Sequence, residues 1–281
     1  MARSIAEIEA EILAHKDEDC AYEPCATCSR MVPGSGDPSA SVMLIGEAPG
    51  KNEDEQGIPF VGAAGKFLDE LLGSISLTRD DVFVANVLKA RPPGNRDPLP
   101  EEAAHHWPWL EEQIEAVDPD LIVLLGRHAM ARFLPNRRIS VDHGQPRLKN
   151  GQVYLPVYHP AAALYNGGLR GTLLSDFAQI PSLVERIQAT GREELLARSG
   201  VTSVPGAGAP AGEAEDLPAE VGDPFEQAAA AADPATFAAD YADPLDGMEA
   251  ARMVNTPWDR EPERTREDEP PQPAPGQPEL F

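Results

Sequence analysis

The sequence predicts an α/β fold: a three-layer sandwich with a four-stranded, mainly parallel central sheet, helices on both faces, and a disordered acidic C-terminal tail. Three observations carry this. Residues 42–45, 82–87, 121–125 and 153–157 are short apolar runs with the length and β-branched content of buried strands. Helical periodicity follows each of them after a short connection, the alternation that builds parallel sheets covered on both sides. Glycines, prolines and polar side chains gather just after the strand ends, the edge at which open α/β sheets place their chemistry.

The elements follow in order. Ser4 and the run Ile5-Ala-Glu-Ile-Glu-Ala-Glu-Ile-Leu form a capped, acidic amphipathic helix. Residues 17–40 read as a polar loop holding all three cysteines, Cys20, Cys25 and Cys28. The first strand, 42–45, ends in Gly46-Glu-Ala-Pro-Gly50, where two glycines and a proline bracket one carboxylate. Gly opens positive φ and Pro fixes φ, so that combination marks a special backbone path. Helices are expected near 63–72, over 100–117, near 128–133 and over 173–188. From about residue 200 frequent proline, high charge and low hydrophobicity cannot offset the entropy of ordering, which predicts disorder. The expected organisation is an N-terminal helix and cysteine loop at 1–40, an α/β core at 41–195 and an acidic tail at 196–281.

Charge and composition bound the function. The chain carries a net charge of −24, of which −14 lies from Val201 onward (18 acids, 4 bases) and −10 before it. Lysine is scarce, 5 against 18 arginines. Two explanations stand: a cytosol of molar salt, where repulsion is screened within about 3 Å, or an acidic protein that avoids nucleic acid. No apolar run is long enough for a membrane helix, no secretory leader is evident, and three cysteines are too few for a disulfide scaffold. A cytoplasmic, reducing location and a monomer are expected.

The candidates for chemistry sit at the strand ends. Glu47 follows the first strand, with Glu53 and Asp54 behind it. Phe60 lies in Gly57-Ile-Pro-Phe-Val-Gly-Ala-Ala-Gly65, Asn86 closes the second strand, Gly126-Arg-His follows the third, and His159-Pro follows the fourth. Each alone is an ordinary turn, core or loop residue. Their arrival at one edge of one sheet marks a site.

These residues resemble the uracil-DNA glycosylases, in particular the iron-sulfur group called family 4. The resemblance runs through Gly46-Glu-Ala-Pro-Gly50 with Glu53-Asp54, Gly57–Gly65, Asn86-Val-Leu-Lys-Ala-Arg-Pro-Pro-Gly-Asn-Arg96, the strand at 121–126 and His159-Pro-Ala-Ala-Ala-Leu164. It covers residues 25–185 and none of the tail. It implies excision of uracil from a flipped deoxyuridine in DNA. By resemblance, Phe60 stacks on the base, Asn86 reads its pairing edge and His159 bonds uracil O2. Glu47, and secondarily Glu53, serves the sugar or the attacking water, and the Glu47-Ala48-Pro49 backbone holds the base. Arg91, Asn95 and Arg96 are expected on DNA phosphates, and Ala162 and Leu164 in a wedge that fills the vacated stack. Arg127, Arg137, Arg138, Arg147 and Arg170 are further candidates for a local basic lip. The rival reading is a non-catalytic uracil- or nucleotide-binding protein on the same fold. A phosphate-cradling nucleotide binder is disfavoured, since no G-x-x-x-x-G-K-[ST] occurs.

The chain departs from this resemblance at the metal. The family holds a [4Fe-4S] cluster on four cysteines, and Cys25-Ala-Thr-Cys28 matches one pair. Ala90 and His106 stand at the other two positions. Cys20 and His106 (or His105) can complete a set, which leaves an iron-sulfur cluster, zinc on three cysteines and a histidine, or no metal at all. The final residues, with Gln277, Leu280 and Phe281, are similar to a shortened sliding-clamp-binding peptide.

Overall fold

The computed structural model describes residues 3–17, 20–191 and 194. The expected disorder of the tail and the Gln277–Leu280–Phe281 motif lie outside these residues. The chain opens with α1 (Ile5–Ala14), capped by Ser4: its side chain accepts from the Glu7 amide while Glu7 bonds back to the Ser4 backbone. A 3-10 turn (His15–Asp17) and a short helix α2 (Glu23–Thr27) follow, then the edge strand β1 (Ser35–Gly36). The core comprises β2 (Val42–Gly46), α3 (Lys51–Gln56), α4 (Ala63–Ser74), β3 (Phe83–Asn86), α5 (Pro100–Val117), β4 (Leu121–Leu125) and α6 (Arg127–Phe133). It closes with α7 (Ile139–Asp142), β5 (Arg147–Lys149), β6 (Gln152–Val157), α8 (Ala162–Tyr165), α9 (Gly168–Phe177) and α10 (Ile180–Thr190).

The strands form one sheet in the order β1-β3-β2-β4-β6-β5. Its four central strands are parallel and are the four that the apolar runs predict. β1 and β5 add antiparallel edges, so the described sheet has six strands rather than four. Strands of two and three residues are too short to show a periodicity. Because alternate residues of a strand face opposite sides, the sheet feeds two apolar layers. Leu44, Val84, Val123 and Leu155 pack with α4, α9 and α10; Met43, Ile45, Ile122 and Leu124 pack with α5, α6 and α7. Each such fully buried side chain contributes roughly 1.5–3 kcal/mol. A third, smaller cluster joins Ile8 and Ile12 of α1 to Trp109 of α5, with Cys25, Cys28, Met31 and Ala90.

Two local readings change. The helix expected over 173–188 is two helices, α9 and α10, broken ahead of Pro181, whose ring cannot follow an unbroken helical turn. Between the first strand and the helix expected near 63–72, where the sequence reading places no helix, the chain forms α3, ended by Gly57 at φ 75°. Among the described residues no helix is long and apolar enough to cross a membrane.

Candidate active site

The carboxyl ends of β2, β3, β4 and β6 meet at one edge. The β2–β3 pairing continues past the strands: the Val87 amide donates to the Gly46 carbonyl (2.9 Å) and the Leu88 amide to that of Glu47 (3.0 Å). Glu47 and Asn86 are therefore placed by continuous backbone hydrogen bonding. Asn86 is 2% exposed, and its Oδ1 is buried with no hydrogen-bond partner. A buried, unpaired acceptor costs about 1–3 kcal/mol, and such a group marks a place where a ligand donor belongs.

Phe60 forms one wall. It adopts the left-handed region (φ 55°), its carbonyl accepts from Arg79 Nη2 (2.8 Å), and a Cβ at Gly65 would lie 1.7 Å from that oxygen. The sharp turn around Phe60 thus requires Gly65. Gly46 is equally constrained: a Cβ there would meet Asn86 Oδ1 at 2.4 Å and Phe60 Cζ at 2.6 Å. The His159 ring stacks beside Phe60, with centroids 5.6 Å apart. Its Nδ1 accepts the Ala161 amide (3.2 Å), so the neutral ring carries its proton on Nε2. Burial, with His128 adding to it, holds the His159 pKa down to about 4. His159 is a neutral N–H donor at ordinary pH.

Glu47 is half-buried, and Pro49 beside it is buried; burial raises the Glu47 pKa above the usual carboxylate range, with His128 and Arg127 opposing and Asp97 adding to the rise. His128 Nε2 lies 3.8 Å from Glu47 Oε2 and 3.3 Å from Asp97 Oδ2, and Arg127 Nη2 lies 3.0 Å from Asp97 Oδ2. Glu53 has different work. Its Oε1 accepts the Val61 and Gly62 amides (both 2.9 Å) and its Oε2 the Gly50 amide (3.1 Å). It braces the loop that carries Phe60, which places it behind the pocket wall.

His128 and Asp97 are the groups that sequence reasoning gives no role. His128 stands directly after β4, a visible signal, but Asp97 meets it only through the tertiary fold. Lys89 is likewise missed. It is fully buried, with Nζ donating to the Asn86 carbonyl (2.8 Å) and to Gln113 Oε1 (2.6 Å), and burial lowers its pKa to about 7.

On the outer rim, α8 directly follows His159-Pro160 and carries Ala162 and Leu164; Leu164 and Tyr165 are exposed. The expected basic lip is largely paired with acids. Arg96 bonds both oxygens of buried Glu102 (2.9 and 2.6 Å), Arg137 and Arg147 share Asp142, Arg127 meets Asp97, and Arg170 meets Glu70. Arg91 Nε donates to Asn95 Oδ1 (2.7 Å), which holds that loop in shape.

The cysteines group differently from the expected set. The ligand atoms of His15, Cys20, Cys25 and His105 lie within 4.8 Å of one another. Cys28, expected beside Cys25, instead directs its Sγ at the Cys25 carbonyl (3.4 Å) and Met31 Sδ (3.8 Å). His106 is also outside the group. Its Nδ1 accepts the Lys89 amide (3.2 Å), so Nε2 holds the proton and faces Cys25 Sγ (3.4 Å) as a donor. A four-thiolate cluster does not fit these residues, because the chain has three cysteines and Ala90 is sealed among apolar side chains.

Fold and site together define a parallel α/β protein that gathers an aromatic wall, a buried amide, a neutral imidazole and a shielded carboxylate at the carboxyl ends of its strands. The family model described as the Uracil DNA glycosylase superfamily matches residues 33–179, and the chain belongs to that superfamily. Among its relatives is a type-4 uracil-DNA glycosylase of Archaeoglobus fulgidus, 45% identical over 175 residues (58% of this chain, 87% of the relative). The type-4 enzyme of Sulfurisphaera tokodaii is 45% identical over 162 residues (54% and 74%), and that of Thermotoga maritima 36% over 182 residues (63% and 95%).

Proposed function

We propose that the chain is a uracil-DNA glycosylase that hydrolyses the N-glycosidic bond of a flipped deoxyuridine in DNA. Its relatives carry that name. The observation that supports the chemistry best is the unpaired, buried Asn86 Oδ1. Uracil offers an N3–H to that oxygen and an O4 to the amide nitrogen. Cytosine has the opposite polarity on that edge and would leave both groups of Asn86 unmatched.

Phe60 supplies the stacking wall, and the Glu47-Ala48-Pro49 backbone borders the base. As the C1′–N1 bond breaks, electrons collect on the uracil ring and charge builds on O2. The Nε2–H of neutral His159 hydrogen-bonds that oxygen, a stabilisation that strengthens as charge develops. The sugar becomes oxocarbenium-like, and ionised Glu47 stabilises it, orients the attacking water and accepts the proton that water loses as it adds at C1′, while the C1′–N1 bonding pair leaves with the uracil. His128, placed between Glu47 and Asp97, opposes the rise that burial imposes on the Glu47 pKa. Glu53 positions the Phe60 loop. Leu164, exposed on α8, enters the duplex stack with Ala162 behind it.

The test is a gel assay of uracil-containing oligonucleotide, treated with alkali after incubation at low and high salt. Strand breaks at uracil are expected, and activity maintained in molar salt would accord with the acidic, lysine-poor composition of a halophilic protein. Tight binding without base release would identify a non-catalytic uracil binder instead. The same assay resolves the pH dependence. Because Glu47 acts as the anion and burial raises its pKa, single-turnover excision falls as pH drops through that raised value. Glu47→Gln is expected to be roughly a hundredfold slower above that point and to lack the acid limb. An unchanged acid limb in Glu47→Gln would assign the limb elsewhere.

We further propose that residues 196–281 link the core to Gln277, Leu280 and Phe281, a peptide that docks on a replication sliding clamp in the cytoplasm and concentrates a monomeric enzyme at new DNA. Calorimetry of clamp with the full chain should give binding that a version ending at Gly276 lacks. Equal binding by both, or by neither, removes this role.

A further inference from the structure

Four side chains from four separate segments converge beside α1. His15 comes from the 3-10 turn after α1, Cys20 from the following loop, Cys25 from α2 and His105 from α5. His105 Nε2 lies 3.1 Å from His15 Nε2 and 3.4 Å from Cys20 Sγ. Two imidazole nitrogens and a thiol crowd one point, and a single N–H on His105 serves only one of the other two. Tetrahedral zinc, bound to sulfur at about 2.3 Å and nitrogen at about 2.0–2.1 Å, places its ligand atoms roughly 3.3–3.8 Å apart. The two separations at His105 are close to that spacing, and all four ligand atoms lie within 4.8 Å of one another.

We infer that His15, Cys20, Cys25 and His105 form a structural zinc site, replacing the four-cysteine cluster that the residues do not fit. Two thiolates and two imidazoles gathered around one point suit a single tetrahedral zinc, whereas a two-iron cluster on the same donors would set its thiolates and imidazoles on different irons, further apart. Two thiolates also neutralise its charge, so the half-buried site holds no net charge. His106 supports the site without being a ligand. Its Nε2–H donates to Cys25 Sγ, and the Lys89 amide fixes that tautomer. Cys28 stays outside, against Met31. The ion would tie the N-terminal helix and its loop to α5, adding to the small Ile8–Ile12–Trp109 cluster, the Trp109–Glu11 bond (2.9 Å) and the Arg3–Glu112 ion pair (2.8 Å). The inference does not depend on the glycosylase reading, and its test uses no activity measurement.

The full chain, expressed with both iron and zinc in the medium and purified anaerobically, is analysed for zinc, iron and acid-labile sulfide. About one zinc per chain is expected, with iron and sulfide well below stoichiometric. Cys20→Ser and His15→Gln should lose the zinc, and Cys28→Ser should keep it. Removing zinc with a chelator should lower the Tm by about 5 °C or more, and added zinc should restore it. Because a variant can fail to fold, the intact chain is also loaded with cobalt(II). Tetrahedral d–d absorption with charge transfer from two thiolates is expected. About four irons and four sulfides per chain, no bound metal, zinc lost from Cys28→Ser but retained by Cys20→Ser, or a cobalt spectrum without thiolate bands would each overturn the assignment.

Discussion

Asn86→Ala lowers single-turnover excision of uracil by two orders of magnitude or more, about 3 kcal/mol of transition-state stabilisation, and His159→Ala does the same. The two substitutions act on different atoms of the base. Loss of Asn86 removes the group that meets N3–H and O4, and loss of His159 removes the donor at O2, where charge accumulates. Stability should respond much less than rate. Asn86 Oδ1 makes no hydrogen bond in the free protein, so deleting it relieves an unpaired buried acceptor. Residues that are unsatisfied in the free enzyme and essential in the complex show this separation. Single-turnover kinetics on a uracil duplex, alongside thermal melts of each variant, check both halves. Near-normal rates in both folded variants would remove the pocket as described.

Lys89→Met should destabilise the chain by about 2–4 kcal/mol and slow excision about tenfold with little change in DNA affinity. The ammonium group reaches two buried acceptors, the Asn86 carbonyl and Gln113 Oε1, and methionine leaves both without that donor. Relief of the buried ammonium's desolvation offsets part of the loss. The pH dependence distinguishes this from a simple packing defect. Burial lowers the folded-state pKa of Lys89 to about 7, well below the ordinary lysine value of 10.5. Between those values the unfolded chain binds a proton that the folded chain does not, so this group adds stability as pH rises. The gap between wild type and Lys89→Met should therefore widen from about pH 7 to about pH 9. Denaturant melts at several pH values measure it. A constant gap would mean that Lys89 does not titrate in that range, and a gap below about 1 kcal/mol would remove its bracing role.

Much of this protein is legible as pattern. The four central strands are short apolar runs that must be buried, so their positions along the chain follow from periodicity, while their β3-β2-β4-β6 order in the sheet does not. The helix over 100–117 is equally plain, beginning with Pro100 at its first position, where a missing N–H does no harm. Glu47, Asn86 and His159 are visible because each follows a strand, and parallel strands deliver their carboxyl ends to one edge. Breaks and edges are less visible. Pro181 divides one expected helix into two, and β1 and β5 are too short for any period to show.

What the sequence by itself determined is therefore the α/β architecture and the strand ends at which the family-like residues gather, because strand and helix periodicities are local. What only the tertiary structure decided is which of those side chains are already held by other groups of the protein. Glu53 and Arg96 look like site residues in the chain, yet three backbone amides hold the first and Glu102 holds the second. His128 shows in sequence only as part of the strand-end Gly126-Arg-His and Asp97 not at all, yet they meet beside Glu47 across 31 positions. Cys25 and Cys28 look like a pair, but the fold turns Cys28 toward Met31 and brings His15, Cys20 and His105 to Cys25 instead. Hydrogen-bond partners and ligand geometry depend on distances between segments far apart in the chain, and no local pattern encodes those distances.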